Sequence, residues 1–249
     1  MQAETRTTAR EIEEWSEALE GRAPAEVLQW AADRFASRVA MATGFGAEGC
    51  VLIHLIAEHE LPIDLFTLDT GLLFPETYEL WQRLECRYGV RIRGIEPALT
   101  LEAQALEYGD ALWTRDPDRC CALRKVAPLS GALSGVDAWI TAIRRQQTAE
   151  RAASRVIEHD ARHDVLKVNP LVAWSEREVW SFIETHDIPY NRLHHSGYPS
   201  IGCHPCTTPV AEGEDPRAGR WRGREKTECG LHARGGVEPQ FATFIRQGA

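Results

Sequence analysis

The feature that most limits how this chain can fold is a repeated alternation of short apolar runs with segments of helical periodicity. The apolar runs are Val39 to Thr43, Ile63 to Leu68, Val90 to Ile95, Ala138 to Thr141 and Val165 to Val168. Between them, Cys50 to Glu60, Pro75 to Tyr88, Leu101 to Tyr108 and Cys121 to Leu133 carry helical spacing. Strands alternating with helices of this length require a mostly parallel sheet covered on both faces, a doubly wound α/β fold. Ligands of such sheets bind at the carboxyl ends of the strands. Two further helices are expected in the first 36 residues, from the repeats Ile12, Trp15, Leu19 and Val27, Leu28, Ala31, Phe35. Another is expected from Ser175 to His186, with Ser175 as N-cap and Glu178 completing a capping box. After Pro189 the periodicity fades into a segment rich in Gly, Pro, His, Arg and Cys, and a long irregular stretch of this kind is usually functional. The expected organisation is a nucleotide-binding α/β domain over residues 1–210 and a mobile tail over 211–249.

With 249 residues and 43% hydrophobic content, the chain can bury a core without staples, which excludes disordered and disulfide-scaffold classes. No apolar run approaches the roughly 20 residues of a membrane helix, and the N-terminus lacks an apolar signal core, so a cytoplasmic location is expected. The net charge of −9 argues against nucleic acid or an anionic membrane as partner. An anionic ligand must therefore be held by a local basic pocket.

The loop Gly44-Phe45-Gly46-Ala47-Glu48-Gly49 joins the first apolar run to a helical segment. It matches GxGxxG, with Asp69 at the distance of a ribose-binding carboxylate, while the Walker pattern fails because Cys50-Val51 stands where Lys-Ser/Thr should follow. Backbone N–H groups at such a helix start suit a phosphate. The plain alternative is a tight turn.

The seven cysteines are more informative. Cys120 and Cys121 are adjacent, and Cys203-His204-Pro205-Cys206 is a CxxC. Four thiolates in two pairs can hold a cubane iron–sulfur cluster or a zinc ion. An adjacent pair is awkward for one tetrahedral ion but suits two neighbouring irons. Two buried thiols beside a redox CxxC is the bland alternative. Cys229, in Lys226-Thr227-Glu228-Cys229-Gly230-Leu231-His232, is a lone cysteine in a polar tail and is expected at the surface, where Lys226 and His232 would favour its thiolate. Cys50 and Cys86 fall in helical patterns and read as packing residues. Arginines gather twice: Arg144-Arg145 with Arg151 after a candidate strand, and Arg217, Arg220, Arg222 and Arg224 before Cys229. Guanidinium forks suit phosphate and sulfate oxygens, although a solvated charged face is the commoner fate of such runs.

Taken together, these motifs resemble the phosphoadenylyl-sulfate/adenylyl-sulfate reductase family, from about Phe35 to His232. The resemblance rests on the Gly-Ala-Glu loop, Leu68-Asp69-Thr70-Gly71, Pro75-Glu76-Thr77-Tyr78, Cys120-Cys121 with Arg124-Lys125, and Arg144-Arg145-Gln146-Gln147. It continues through Asn169-Pro170-Leu171, Tyr190-Asn191, Gly202-Cys203-His204-Pro205-Cys206-Thr207 and Glu228-Cys229-Gly230-Leu231-His232. Phe45, Gly49 and Ala142 depart from the family pattern. The paired cysteines mark the iron–sulfur branch, which generally uses adenosine 5′-phosphosulfate (APS), whereas the cluster-free branch uses the 3′-phosphorylated nucleotide (PAPS). The resemblance implies an adenine nucleotide α hydrolase-like sheet and a [4Fe–4S] cluster on Cys120, Cys121, Cys203 and Cys206. It implies Cys229 as nucleophile and Thr43, Phe45 and Leu68 at the nucleotide. Lys125, Arg151, Arg217 and Arg220 would lie at the phosphosulfate, with Arg144 in the same basic group and His232 near the thiol. The implied reaction is reduction of APS to sulfite and AMP in sulfate assimilation, through a cysteine S-sulfonate. The implied reductant is thioredoxin or a glutaredoxin-like dithiol. Homo-oligomer formation stays open. The competing functions are PAPS reduction, an ATP-using PP-loop sulfurtransferase or adenylyltransferase with no need of Cys229, and a zinc-bearing binding module.

Overall fold

In the computed structural model, which describes residues 7–226 and 228–232, the described strands form one six-stranded sheet in the order β3-β2-β1-β4-β6-β5. The strands are β1 Val39–Thr43, β2 Asp64–Leu68, β3 Ile92–Ile95, β4 Ala138–Ile140, β5 Ile157–Asp160 and β6 Val165–Val168. All neighbours are parallel except β5, which pairs antiparallel with β6. The central strands β1 and β4 are almost wholly buried because helices cover both faces, so their sequences run apolar without alternation. The helices are α1 Ala9–Leu19, α2 Pro24–Phe35, α3 Ala47–Glu58, α4 Pro75–Tyr88, α5 Leu101–Tyr108, α6 Leu112–Arg115, α7 Pro117–Cys121, α8 Ala127–Ala132 and α9 Glu176–Thr185.

Local chemistry sets the helix ends. Thr8 and Ser175 cap α1 and α9, each in a full capping box with a glutamate three residues on. Pro75 starts α4, and Gly89, at φ 64°, ends it in the left-handed conformation that a residue with a Cβ resists. Several elements differ from expectation: α3 begins at Ala47 rather than Cys50, and the short α6 was not foreseen. The strand β5 was not legible, because Ile157-Glu158-His159-Asp160 offers only one buried apolar residue. The helix expected over Cys121 to Leu133 is broken into α7, a π-helical turn over Ala122–Val126, and α8. Pro128 has no N–H to give and its ring crowds the carbonyl of Arg124, so the turn widens; Ala127 N–H donates to Ala122 O, five residues back. That widened turn carries Arg124 and Lys125.

The described part of the tail packs on this frame. Trp221 is buried, its N–H donates to Cys206 O, and Arg220 bridges to Thr207. Thr227 and residues 233–249 of the expected tail lie outside the described residues. Among the described residues no helix is long and apolar enough to cross a membrane.

Candidate active site

A cavity of about 320 Å³ opens at the carboxyl ends of β1, β2 and β4, the position the topology requires. That volume falls within the ~300–1,000 Å³ of small-molecule sites. Its floor is the turn from Thr43 to Glu48 that leads into α3, with Leu68 at the end of β2 beside it. Thr43 Oγ1 accepts from Phe45 N–H at 3.1 Å, and Phe45 takes φ 57° with its ring stacked on Trp81. A Cβ on Gly49 would meet Thr43 Oγ1 at 2.7 Å, so this glycine lets helix and strand approach. Asp69 is not part of the cavity wall. It accepts from Gly71 N–H at 2.9 Å and from the Tyr78 hydroxyl at 2.6 Å, so its carboxylate is engaged within the turn after β2.

The basic groups converge from three segments. Lys125 reaches the cavity from the π turn, Arg144 and Arg151 from the loop after β4, and Arg217 and Arg220 from the tail. Arg144 is buried and donates to Glu48 Oε1 at 2.7 Å, and Gln147 donates to the same oxygen at 2.9 Å. Arg151 and Arg217 both contact the Glu228 carboxylate, at 2.9 and 3.3 Å. Arg217 and Arg220 also donate to Ser200 Oγ, at 3.4 and 3.3 Å. Arg222 and Arg224 point elsewhere, to Glu214 and to the carbonyl of Thr114.

Cys229 lines this cavity and is half-buried, not out in solvent as a lone tail cysteine would suggest. Its neighbours hold it there. Glu228 is bound by the two arginines, Gly230 O accepts from Arg162 at 2.6 Å, and Leu231 packs on the cluster of Phe66, Leu129 and Trp139. His232 stacks on Trp139 with ring centroids 5.5 Å apart. Burial, with the positive Lys167, Arg151 and Arg217 nearby, holds His232 far below the usual imidazole range, so its ring is neutral. Lys226 pairs with Asp118 and lies 5.3 Å from the Trp221 ring centroid.

Directly beside the cavity, Cys120, Cys121, Cys203 and Cys206 line a second, small space, with Lys125 in the wall of both. α7, N-capped by Asp116, supplies the first pair, and the short turn His204–Cys206 supplies the second. Cys203 also contacts Thr70 Oγ1 at 3.3 Å. Burial pushes the thiols of Cys120 and Cys121 up to about 11 and about 12. Burial also opposes charge on Lys125, but Cys203 and Cys229 outweigh it and raise its pKa. No three of these four sulfurs lie within 4.8 Å of one another. In a tetrahedral zinc site, bonds of ~2.3 Å place thiolates about 3.8 Å apart. The thiols are thus spread too widely for one ion as they stand, and a multi-iron group fits them better. Cys50, in contrast, is buried in α3 and pushed up to about 12 by burial, and Cys86 is exposed on α4.

The cavity walls hold each substrate-binding candidate read from the sequence, and the adjoining space holds the four paired cysteines. Sequence reasoning gave no role to Glu48, Gln147, Glu228 or Trp139. Glu48, Gln147 and Glu228 lie within the quoted motifs, but nothing in a linear motif shows which guanidinium a carboxylate meets.

The profile of the phosphoadenosine phosphosulfate reductase domain family matches residues 38–209. Adenosine 5′-phosphosulfate reductase of Oceanobacillus iheyensis is 48% identical over 208 residues, covering 83% of this chain and 87% of that protein. Adenosine 5′-phosphosulfate reductase 2 of Bacillus subtilis is 46% identical over 208 residues, covering 83% and 88%. Among solved structures, the phosphoadenylyl-sulfate reductase of Candida auris in its phosphate complex superposes with TM-score 0.74 at 32% identity, covering 81% of this chain and 98% of that one. Yeast FAD synthetase, at 16% identity and TM-score 0.53 over 82% of this chain and 70% of its own, shares the fold.

Proposed function

The chain belongs to the phosphoadenosine phosphosulfate reductase family, and from that premise we propose that it reduces APS to sulfite and AMP with Cys229 as nucleophile. The observation that carries this reading is the seating of Cys229 in the wall of a cavity that also gathers Lys125, Arg151, Arg217 and Arg220. The nucleotide lies on the Thr43–Glu48 turn at the start of α3, where backbone N–H groups face a phosphate. The basic side chains hold the phosphosulfate and offset the charge that accumulates when a thiolate meets an anion.

In the first step Cys229 Sγ attacks the sulfur of APS. The S–O bond to phosphate breaks, its electron pair leaves with AMP, and Cys–S–SO₃⁻ remains. A dithiol protein of the thioredoxin class then attacks Cys229 Sγ and releases sulfite. The second thiol closes the disulfide and returns Cys229 as a thiol, so two thiols are oxidised as sulfur gains two electrons. Glu228 holds Arg151 and Arg217 until the substrate anion takes its place. Neutral His232, stacked on Trp139, keeps the tail seated without adding charge. Cys120, Cys121, Cys203 and Cys206 would hold a [4Fe–4S] cluster, whose chemistry there is to tie α7 to the 203–206 turn and to place a charged group beside Lys125. An adenylating enzyme of this fold would have no use for a thiol at the cavity.

The test is mass spectrometry of protein mixed with APS and no reductant. A gain of about 80 Da at Cys229, with about one equivalent of AMP released, is expected of covalent catalysis. Turnover by Cys229→Ser, or an adduct on Cys50 or Cys86, would overturn the reading.

A further inference from the structure

Helices α3 and α9 both begin at the active-site cavity, since Ala47 and Glu48 of α3 and Glu176 of α9 line it. At 1.5 Å per residue, helices of 12 and 10 residues carry their C-terminal ends roughly 15–18 Å away from the cavity. There His54 and Glu58, one turn apart on α3, meet His186, the C-cap of α9. One ligand atom from each of the three residues lies within 4.8 Å of the other two, the closest such grouping of three His, Cys or carboxylate groups among the described residues.

His54 is a buried polar side chain whose Nδ1 has no hydrogen-bond partner. It is 8% exposed, and its Nε2 lies 3.0 Å from Glu58 Oε2. A buried imidazole in this condition costs free energy unless something takes its lone pair. Packing holds both imidazoles in place. His186 stacks on Phe182 at 4.1 Å between centroids, and His54 lies edge-on to Tyr88 at 5.6 Å and to Phe182 at 5.9 Å. The imidazole centroids themselves are 5.1 Å apart. The nearby cation, Arg87, is engaged by Asp187 at 3.1 Å and by His186 O at 3.4 Å. The negative ends of the α3 and α9 dipoles converge on the same spot and favour a cation.

We propose that His54, Glu58 and His186 form a divalent transition-metal site, separate from the cysteine group, that pins the C-terminal ends of α3 and α9 together. Two imidazoles and one carboxylate form a His₂Glu set that takes zinc in tetrahedral geometry with water as fourth ligand. The nitrogen donors select zinc, cobalt or nickel over magnesium or calcium. Glu58 is half exposed, which gives the ion a way in.

The test is calorimetric titration of the intact protein with zinc chloride at micromolar concentration, with visible absorption followed in the same samples and thermal unfolding measured with and without zinc. One zinc per chain is expected, with no loss of visible absorption and a rise in Tm. Glu58→Gln and His186→Gln should each weaken binding at least about tenfold and abolish the rise in Tm. Glu58→Gln carries the test, since Glu58 is half exposed and its change leaves the buried ring of His54 in place. No zinc uptake by the unaltered protein would overturn the proposal. So would uptake undiminished in both variants, which would place the ion on cysteines or elsewhere.

Discussion

Glu228→Gln should make the protein bind its substrate more tightly. The carboxylate lies 2.9 Å from Arg151 and 3.3 Å from Arg217, with side-chain exposures of 18% for the glutamate and 12% and 20% for the arginines. At such separations and an effective dielectric near 20, the Coulomb attraction is about 5 kcal/mol per pair before desolvation. Desolvation offsets most of it, and a charge-assisted contact retains about 1.5–3 kcal/mol. In the free protein that stabilisation belongs to the state in which Glu228 occupies the arginines. On the proposed binding of phosphosulfate to Arg151 and Arg217, the substrate must displace Glu228 and forgo it. Glutamine keeps the shape and removes the charge, so the competition falls away. Affinity for APS should rise by roughly 10- to 100-fold, at about 1.4 kcal/mol per decade. The cost appears in stability, because two partly buried guanidinium groups lose their counter-charge; about 1–2 kcal/mol corresponds to a Tm lower by roughly 2–8 °C in a chain of this size. Calorimetric binding of APS in a Cys229→Ser background, with and without Glu228→Gln, measures the effect without turnover. Unchanged or weaker binding in the double variant would refute the idea that Glu228 and the substrate anion compete for Arg151 and Arg217.

Cys203→Ser should lose iron and activity together, since a hydroxyl is a poor ligand for a soft iron site; full iron content by metal analysis would remove this residue from the ligand set. Gly49→Ala should destabilise the protein by about 1–3 kcal/mol in denaturant unfolding, because the new Cβ would meet Thr43 Oγ1 at 2.7 Å; unaltered stability would mean the α3 start shifts freely. Lys125→Ala should lower kcat/KM by roughly 10- to 100-fold through loss of one charge-assisted contact of about 1.5–3 kcal/mol. Full activity in that variant would exclude Lys125 from the anion pocket.

The architecture was legible because burial on two faces writes itself into the sequence. β1, β4 and β6 are nearly continuous apolar runs, α4 and α5 begin and end where periodicity and Pro75 put them, and Ser175 with Glu178 announced α9. The paired cysteines and the Cys229 motif were legible for a different reason: thiols are scarce, and their spacing carries chemistry without reference to the fold. What stayed hidden depends on partners far away in the chain. β5 is a strand only because β6 offers it an edge. The π turn at Arg124 and Lys125 follows from Pro128, but that it aims Lys125 at both the cavity and the cysteines is a fact of packing. That the Asp69 carboxylate meets Tyr78 and Gly71 is likewise a fact of the folded turn, which a formal GxGxxG match does not record. Periodicity and spacing alone pointed to a doubly wound sheet, two pairs of thiols and a lone thiol in the tail. Which carboxylate each arginine meets, and the seating of Cys229 in the cavity wall, came from packing. Packing also decided that His54, Glu58 and His186 share one corner. The physical reason is that periodicity and composition record each residue's burial, whereas a charge or a lone pair is satisfied by whichever group the folded chain brings within about 3 Å.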